Sequence, residues 1–287
     1  MFDFLQSIMS PASVLFVVAM MFSTGLSLKV GDLKETISDW RYFARLLIVN
    51  FLAVPGIMLV FISLFNIEQP YSTGMLIHAC VAGAPLIMAL TQLSKNSIAL
   101  GATVQMVLMV ATVIIMPLLL PALIGINDFS VWPLIRSLLL QMVLPMVIGM
   151  VLLYFSPDMT AKIRPVVSET ANIIMLIFLV LSVIAFAPYF TDGHLWKAVL
   201  IGMLALTVAF YVGFGTGLDG GGPKSQLGAL GSAQRNTAAG VITAFAFDDA
   251  LVFITFVFIN SFMMFVLMGF AKRFGAGKEM PLLTSRS

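Results

Sequence analysis

Nine stretches of the chain are long and apolar enough to cross a bilayer, and their spacing constrains the fold more than any other feature. They fall at about 8–28, 42–65, 71–94, 96–120, 132–155, 167–188, 195–217, 225–247 and 251–271. A helical crossing takes about 20 mostly apolar residues. Only 10% of the 287 residues are charged and the mean hydropathy is +1.07, whereas a soluble domain carries about 25% charge. The reading is an all-α polytopic membrane protein embedded in lipid. The connections are short, which favours one bundle. The longest is the amphipathic loop Lys29–Arg41, and Leu218–Lys224 reads as a flexible turn.

Basic residues set the orientation. With nine crossings, one side holds Lys29, Lys34, Arg41, Arg45, Lys95, Lys162, Arg164, Lys224, Lys272, Arg273, Lys278 and Arg286, and the other holds only Arg136 and Lys197. Twelve against two is the positive-inside bias, so the N-terminus is expected outside and a short tail, 272–287, in the cytoplasm of a plasma (inner) membrane. Glu68, Asp128, Asp192, Asp248 and Asp249 then fall outside. The start, MFDFLQSIMSP, has no basic segment of the signal-peptide kind, so the first helix is expected to be retained. Trp40, Trp132 and Trp196 lie near span ends, where interfacial anchors sit.

Two crossings carry breaks. The third holds Gly83-Ala84-Pro85 near its middle. Proline lacks a backbone donor, disfavours helix just before itself and suits the first position of a new helix. The eighth holds Gln234, Arg235, Asn236 and Thr237 among Gly228, Gly231 and Gly240, with Asn236 placed to cap a half-helix starting at Thr237. Pro55, Pro117 and Pro145 read as simple kinks. The third and eighth crossings run in opposite directions, so crossings 1–4 and 6–9 match as two inverted repeats with the fifth unpaired. Paired broken helices in opposite halves point to a transporter site at the bilayer midplane.

Arg235 is the costly residue. A mid-span arginine costs roughly 2.5–3.5 kcal/mol on insertion scales. Two half-helix N-termini at the breaks add positive character, and a guanidinium matches a carboxylate or sulfonate. An organic anion is therefore the expected cargo. The other reading of Arg235 is that it bonds exposed carbonyls of the broken helix and never meets cargo. Gln92, Gln105, Gln141 and Asn172 are expected as buried amides, most of them linking helices, with Gln92, Gln105, Asn172 and His78 a possible ion, proton or polar network. His78 is read first as packing and Cys80 as an apolar filler. With one cysteine and two histidines, no zinc site of the usual kind is expected. No GxxxxGK[ST], HExxH or GxSxG occurs, and Gly213-x-Gly215-x-Gly217 lacks strand context. Neither an ATP-driven pump nor a membrane enzyme is expected, and no nucleic-acid partner.

LGALGSAQRNTAAG at Leu227–Gly240 resembles the eighth-helix signature of the bile acid–sodium symporter family. MFSTGLSL at Met21–Leu28 and the stretch Gly74–Pro121 resemble other parts of it. The resemblance implies two unwound helices, the third and eighth, crossing in a core with the second, fourth, seventh and ninth (about 42–120 and 195–271). It implies a panel of the first, fifth and sixth (about 8–28 and 132–188). It also implies organic-anion cargo facing Asn236, Thr237 and the Gly83–Pro85 backbone, and sodium as coupling ion; Gln234 and Arg235 beside them are read from their own chemistry as further cargo-binding residues. Most of the expected sodium ligands are missing. Gly231 and Arg235 stand where a glutamate and a glutamine are expected, Ile87 and Met88 where serine and asparagine are, and Gly101 and Gln105 at hydroxyl positions. Sodium coupling is therefore not expected, and no other cofactor is. The readings set beside alternating-access transport are a membrane sensor or channel, and an arsenite-type oxyanion exporter with Cys80 near the break. Cargo identity, the coupling ion (sodium, proton or none), transport direction, oligomeric state and the role of Asp248 and Asp249 stay open.

Overall fold

The computed structural model describes residues 2–28, 38–125 and 131–278. Lys29, Lys34, Asp128, Arg286 and most of the loop Lys29–Arg41 lie outside the described residues. Among the described residues the regular structure is helical throughout. We number the helices α1 (Phe2–Gly25), α2 (Trp40–Leu64), α3 (Tyr71–Cys80), α4 (Leu86–Leu93), α5 (Ile98–Ile124), α6 (Val131–Phe155), α7 (Pro157–Ala185), α8 (Gly193–Phe214), α9 (Pro223–Ala233), α10 (Thr237–Phe245) and α11 (Ala250–Gly275).

Six of these, α2, α5, α6, α7, α8 and α11, are long and apolar enough to cross a membrane, and α1 contributes a shorter apolar stretch, Pro11–Gly25. Their outward faces expose residues such as Leu52, Val60, Ile114, Leu118, Val166 and Leu176. Water would penalise such a surface and hydrocarbon does not. Trp40 and Trp132 are exposed at the starts of α2 and α6, while Trp196 is partly buried and donates its indole N–H to Phe190 O (2.8 Å).

Three sequence expectations are corrected in detail. The sixth stretch, read as 167–188, is helical from Pro157, because Pro157 occupies the first turn with Asp158 beside it. Both residues suit a helix start. Lys162 and Arg164 therefore lie on a helix and not in a loop. Pro55 and Pro145 do not make simple kinks. Each follows a π-helical turn, Val49–Ala53 and Leu139–Val143. A proline removes one i→i−4 bond and crowds the preceding carbonyl, and a locally wider turn relieves both. Pro117 stays inside the continuous helix α5.

α1 packs along α7 and α6. Gly149 allows the close approach to α6, since a side chain there would meet Phe22 O at 2.6 Å. The other group forms around the broken pairs. α3 packs on α11, α9 on α8, and α5 lies against both α3 and α9. At the basic end, Asp39 caps α2 by accepting from Tyr42 N (3.2 Å) and receives Lys224 Nζ (2.6 Å) from the start of α9. The hydrogen bond from Lys224, then that from Tyr42 N–H, holds the Asp39 carboxyl below the ordinary aspartate range.

Candidate functional site

The two interruptions meet. α3 ends at Cys80 and the chain turns extended at Val81. Gly83 takes φ 77, and Pro85 caps the start of α4. A side chain at Gly83 would run into the α5 backbone at Leu108 and Met109, so both conformation and space require glycine. On the partner segment, α9 ends at Ala233, Gln234 is extended, and Asn236 caps α10 by accepting from Ala239 N (3.2 Å).

Unwound backbone in hydrocarbon must find partners inside the protein. Asn236 N donates to Val81 O (3.2 Å) and Asn236 Nδ2 to Gly83 O (3.2 Å). From α5, the Thr112 hydroxyl accepts from Ala82 N (2.8 Å) and donates to Ala82 O (3.0 Å). Thr112 was not among the residues singled out from sequence. Threonines in helices usually bond their own preceding turn, so nothing in the local pattern marks this one.

Arg235 is fully buried. Its Nη1 donates to Asn50 Oδ1 (2.9 Å), and Nε and Nη2 have no protein partner. Asn50, in the π turn of α2, is oriented by donating to Leu46 O (2.9 Å) and Ser232 Oγ (3.1 Å). Sequence reasoning passed over Asn50, although a lone amide within LLIVNFLAV is a visible signal. Gly231, one turn before Arg235, faces Val104, Leu108 and Ile87, whose carbons lie 3.2, 3.4 and 3.9 Å from where its Cβ would be. The position expected to carry a carboxylate for sodium therefore faces hydrocarbon, and the next holds a guanidinium. His78 is buried with both ring nitrogens unpartnered, and its ring lies 5.2 Å from that of Phe256.

A cavity of about 330 Å³ lies between the crossing and the α1–α7 pair. The crossing contributes Ala84, Pro85, Gln234 and Thr237, with Gln92 from α4 and Gln105 from α5. From α1 come Phe16, Met20, Ser23, Thr24 and Ser27, and from α7 Arg164, Ser168, Asn172 and Met175. Of the residues predicted from sequence, Ala84, Pro85, Gln234, Thr237, Gln92, Gln105 and Asn172 line it, whereas Gly83, Arg235, Asn236 and His78 do not. Gln92 and Asn172, expected as buried amides, are exposed. Gln141 belongs to a separate hollow formed by α6 alone.

Thr237 Oγ1 accepts from Asn260 Nδ2 (2.8 Å), and Ser23 Oγ donates to Ser168 Oγ (3.1 Å), joining α1 to α7. Gln234 Nε2 donates to Arg235 O (3.1 Å), which leaves Gln234 Oε1 without a partner. Both amide atoms of Gln105 are unpartnered. Beyond the cavity, rings of α1, α7 and α11 close together. Phe16 stacks on Phe178 at 5.0 Å, and Phe178 meets Phe253 edge-on at 6.2 Å.

The family model described as Sodium Bile acid symporter family matches residues 14–193, from α1 to the start of α8. That match includes the first broken pair and stops before the second. A protein of Arabidopsis thaliana described as a probable sodium/metabolite cotransporter, BASS3, chloroplastic, is 24% identical over 154 residues. The aligned stretch is 53% of this chain and 36% of that protein, so the chain spans about a third of its relative's length.

Proposed function

The chain belongs to the sodium bile acid symporter family, and on that premise we propose that it carries a small organic anion by alternating access, without coupling to sodium. Membership makes it an integral membrane transporter of a small molecule and not an enzyme. The observation that carries the anion reading is the cavity, walled on one side by the crossed half-helices and on the other by α1 and α7. Half-helix N-termini give the cavity positive character that draws an anion in, and Ala84, Pro85, Gln234 and Thr237 touch the cargo. Gly83, Asn236 and Arg235 hold the crossing from behind. Arg235 supplies positive charge to the site without being part of the cavity wall.

In this reading each broken pair counts as one crossing. With α1 and the six long helices that makes nine, arranged as two inverted repeats around an unpaired α6. Helices α1, α6 and α7 form the panel and the remainder the core. The cavity uses the end of α1, the first half of α7 and all of α4. The stretches on α7 and α4 lead towards Lys162 and Lys95, at basic ends. By the positive-inside rule the cavity opens to the cytoplasm of the plasma membrane, and the Phe16–Phe178–Phe253 cluster shuts the outer side.

What speaks against sodium is the pair of positions already described. Gly231 packs on hydrocarbon and Arg235 brings its own cation, so the residues present do not fit the ion. Cys80 is buried at the end of α3 and is not in the cavity wall, which removes support for the oxyanion exporter. A thermal-shift screen of carboxylates and sulfonates in sodium and in potassium buffer tests the proposal. A binding anion at 100 times its Kd should add about 2.7 kcal/mol, equally in both salts. Stabilisation that appears only with sodium would overturn the sodium-free reading. Absence of any stabilising anion would overturn the cargo reading.

A further inference from the structure

Building on the anion-transport reading, we infer that Arg164, and not Arg235, meets the acidic group of the cargo, and that Gln105 and Gln234 read an uncharged hydroxyl at its other end. Arg164 is the one charged side chain lining the cavity among the described residues, and it is exposed. It opens a stripe on α7, Arg164, Ser168, Asn172 and Met175, spaced 4, 4 and 3 residues apart on one helix face. At 1.5 Å per residue that stripe is about 16 Å long. Arg164 thus stands at the basic end of the cavity. Arg235 is sealed behind the crossing with its Nη1 committed to Asn50.

The amides decide what the side of the cavity formed by the crossing and α5 accepts. Gln105 and Gln234 are buried, at 0% and 1% exposure, yet both line the cavity. Leaving a buried polar atom unpaired is costly, so a ligand group that pairs these atoms gains most. Gln234 presents its oxygen as a free acceptor, because its nitrogen faces the Arg235 carbonyl and the opposite flip would set two oxygens against each other. Gln105 offers one donor side and one acceptor. A hydroxyl, which both donates and accepts, matches this set. A carboxylate could take only the Gln105 N–H and would be repelled by Gln234 Oε1, so it fits the set less well. Phe16, Met20, Met88, Met175 and Met264 also line the cavity, apolar and, through the methionines, adaptable.

The test uses three probes on the purified full chain in lipid nanodiscs, 8-hydroxyoctanoate, octanoate and 1,8-octanediol, with binding followed by calorimetry. Wild type should bind the hydroxy acid at least tenfold more tightly than either of the others. Arg164→Gln should weaken both acids about tenfold and leave the diol unchanged, and Arg164→Lys should recover part of the loss. Gln105→Leu should erase the advantage of the hydroxy acid over octanoate. Its melting temperature without ligand, equal to or above wild type, reports that it is folded. The assignment is overturned if Arg164→Gln keeps the preference for acid over diol, if Gln105→Leu keeps the preference for the hydroxyl, or if wild type fails to bind the hydroxy acid. Anion binding that ignores Arg164 sinks this assignment alone, whereas failure of every anion sinks the transport reading beneath it.

Discussion

Replacing Asn50 with leucine should destabilise the protein more than replacing Arg235 itself. In wild type the guanidinium has one protein acceptor, Asn50 Oδ1 at 2.9 Å, and two donor positions with none. Asn50→Leu removes that acceptor and strands a fully buried charge. A hydrogen bond to a charged group contributes about 1.5–3 kcal/mol, and breaking one side of a buried charged pair costs about 3–5 kcal/mol. We expect a loss near 3 kcal/mol, or ~6 °C in melting temperature for a chain of this size. Arg235→Met strands only the Asn50 acceptor, at about 1–3 kcal/mol, and removes a desolvated charge, so its net loss is smaller. In the double variant neither polar partner remains, and its stability should return close to wild type. Thermal unfolding of all four proteins in one detergent closes the cycle. If Asn50→Leu melts within about 1 °C of wild type, or the double variant is the least stable, the assignment of Asn50 as the group that holds Arg235 is wrong.

Two further outcomes follow from the geometry. Gly83→Ala forces a left-handed backbone on a residue whose Cβ would enter the α5 main chain. A loss of about 2–3 kcal/mol is expected, read as a lower melting temperature, and a melt unchanged from wild type would contradict the tight crossing. The Asp39–Lys224 pair should show a small pH signature. The folded carboxyl titrates below its unfolded value, so its stabilisation is present above the ordinary aspartate pKa of about 3.9 and fades as pH falls through the lower folded value. Because the two side chains are 36% and 39% exposed, the effect is at most about 1 kcal/mol. The melting difference between wild type and Lys224→Met should begin to narrow below about pH 4, and a difference constant down to pH 3 would exclude the pair as its source.

The breaks were legible because their causes are local. Pro85 and Asn236 start new helices through their own backbone and side-chain chemistry, and both do so where the sequence places them. The partners of those breaks were not legible. Asn50 and Thr112 each look like an ordinary polar residue in an apolar helix, and only the fold brings one to Arg235 and the other to Ala82. Arg164 escaped for another reason. Reading hydropathy alone starts its helix at 167, whereas Pro157 and Asp158 begin it earlier. Once α7 is extended, the polar spacing Arg164, Ser168, Asn172 is plain in the sequence. The burial of Arg235 follows from its apolar surroundings in the sequence, but which side of the crossing it occupies depends on the arrangement of α2 and α9, which no local pattern encodes.

The joint made by Val81, Ala82, Gly83, Thr112 and Asn236 also limits how the molecule can deform and how it can diverge. Four hydrogen bonds join three chain segments far apart in sequence, with no solvent at hand to take over if they separate. Pulling the segments apart would release them all at once, at a cost of several kcal/mol for each group left bare. Flexing is therefore expected along the methionine- and serine-lined seam opposite, where side chains can slide and exchange neighbours, and the joint should travel as one piece. The same interlocking ties mutations together. Asn236 and Thr112 can change only when the segment carrying Val81–Gly83 changes with them, so drift at this spot should come in sets and not singly.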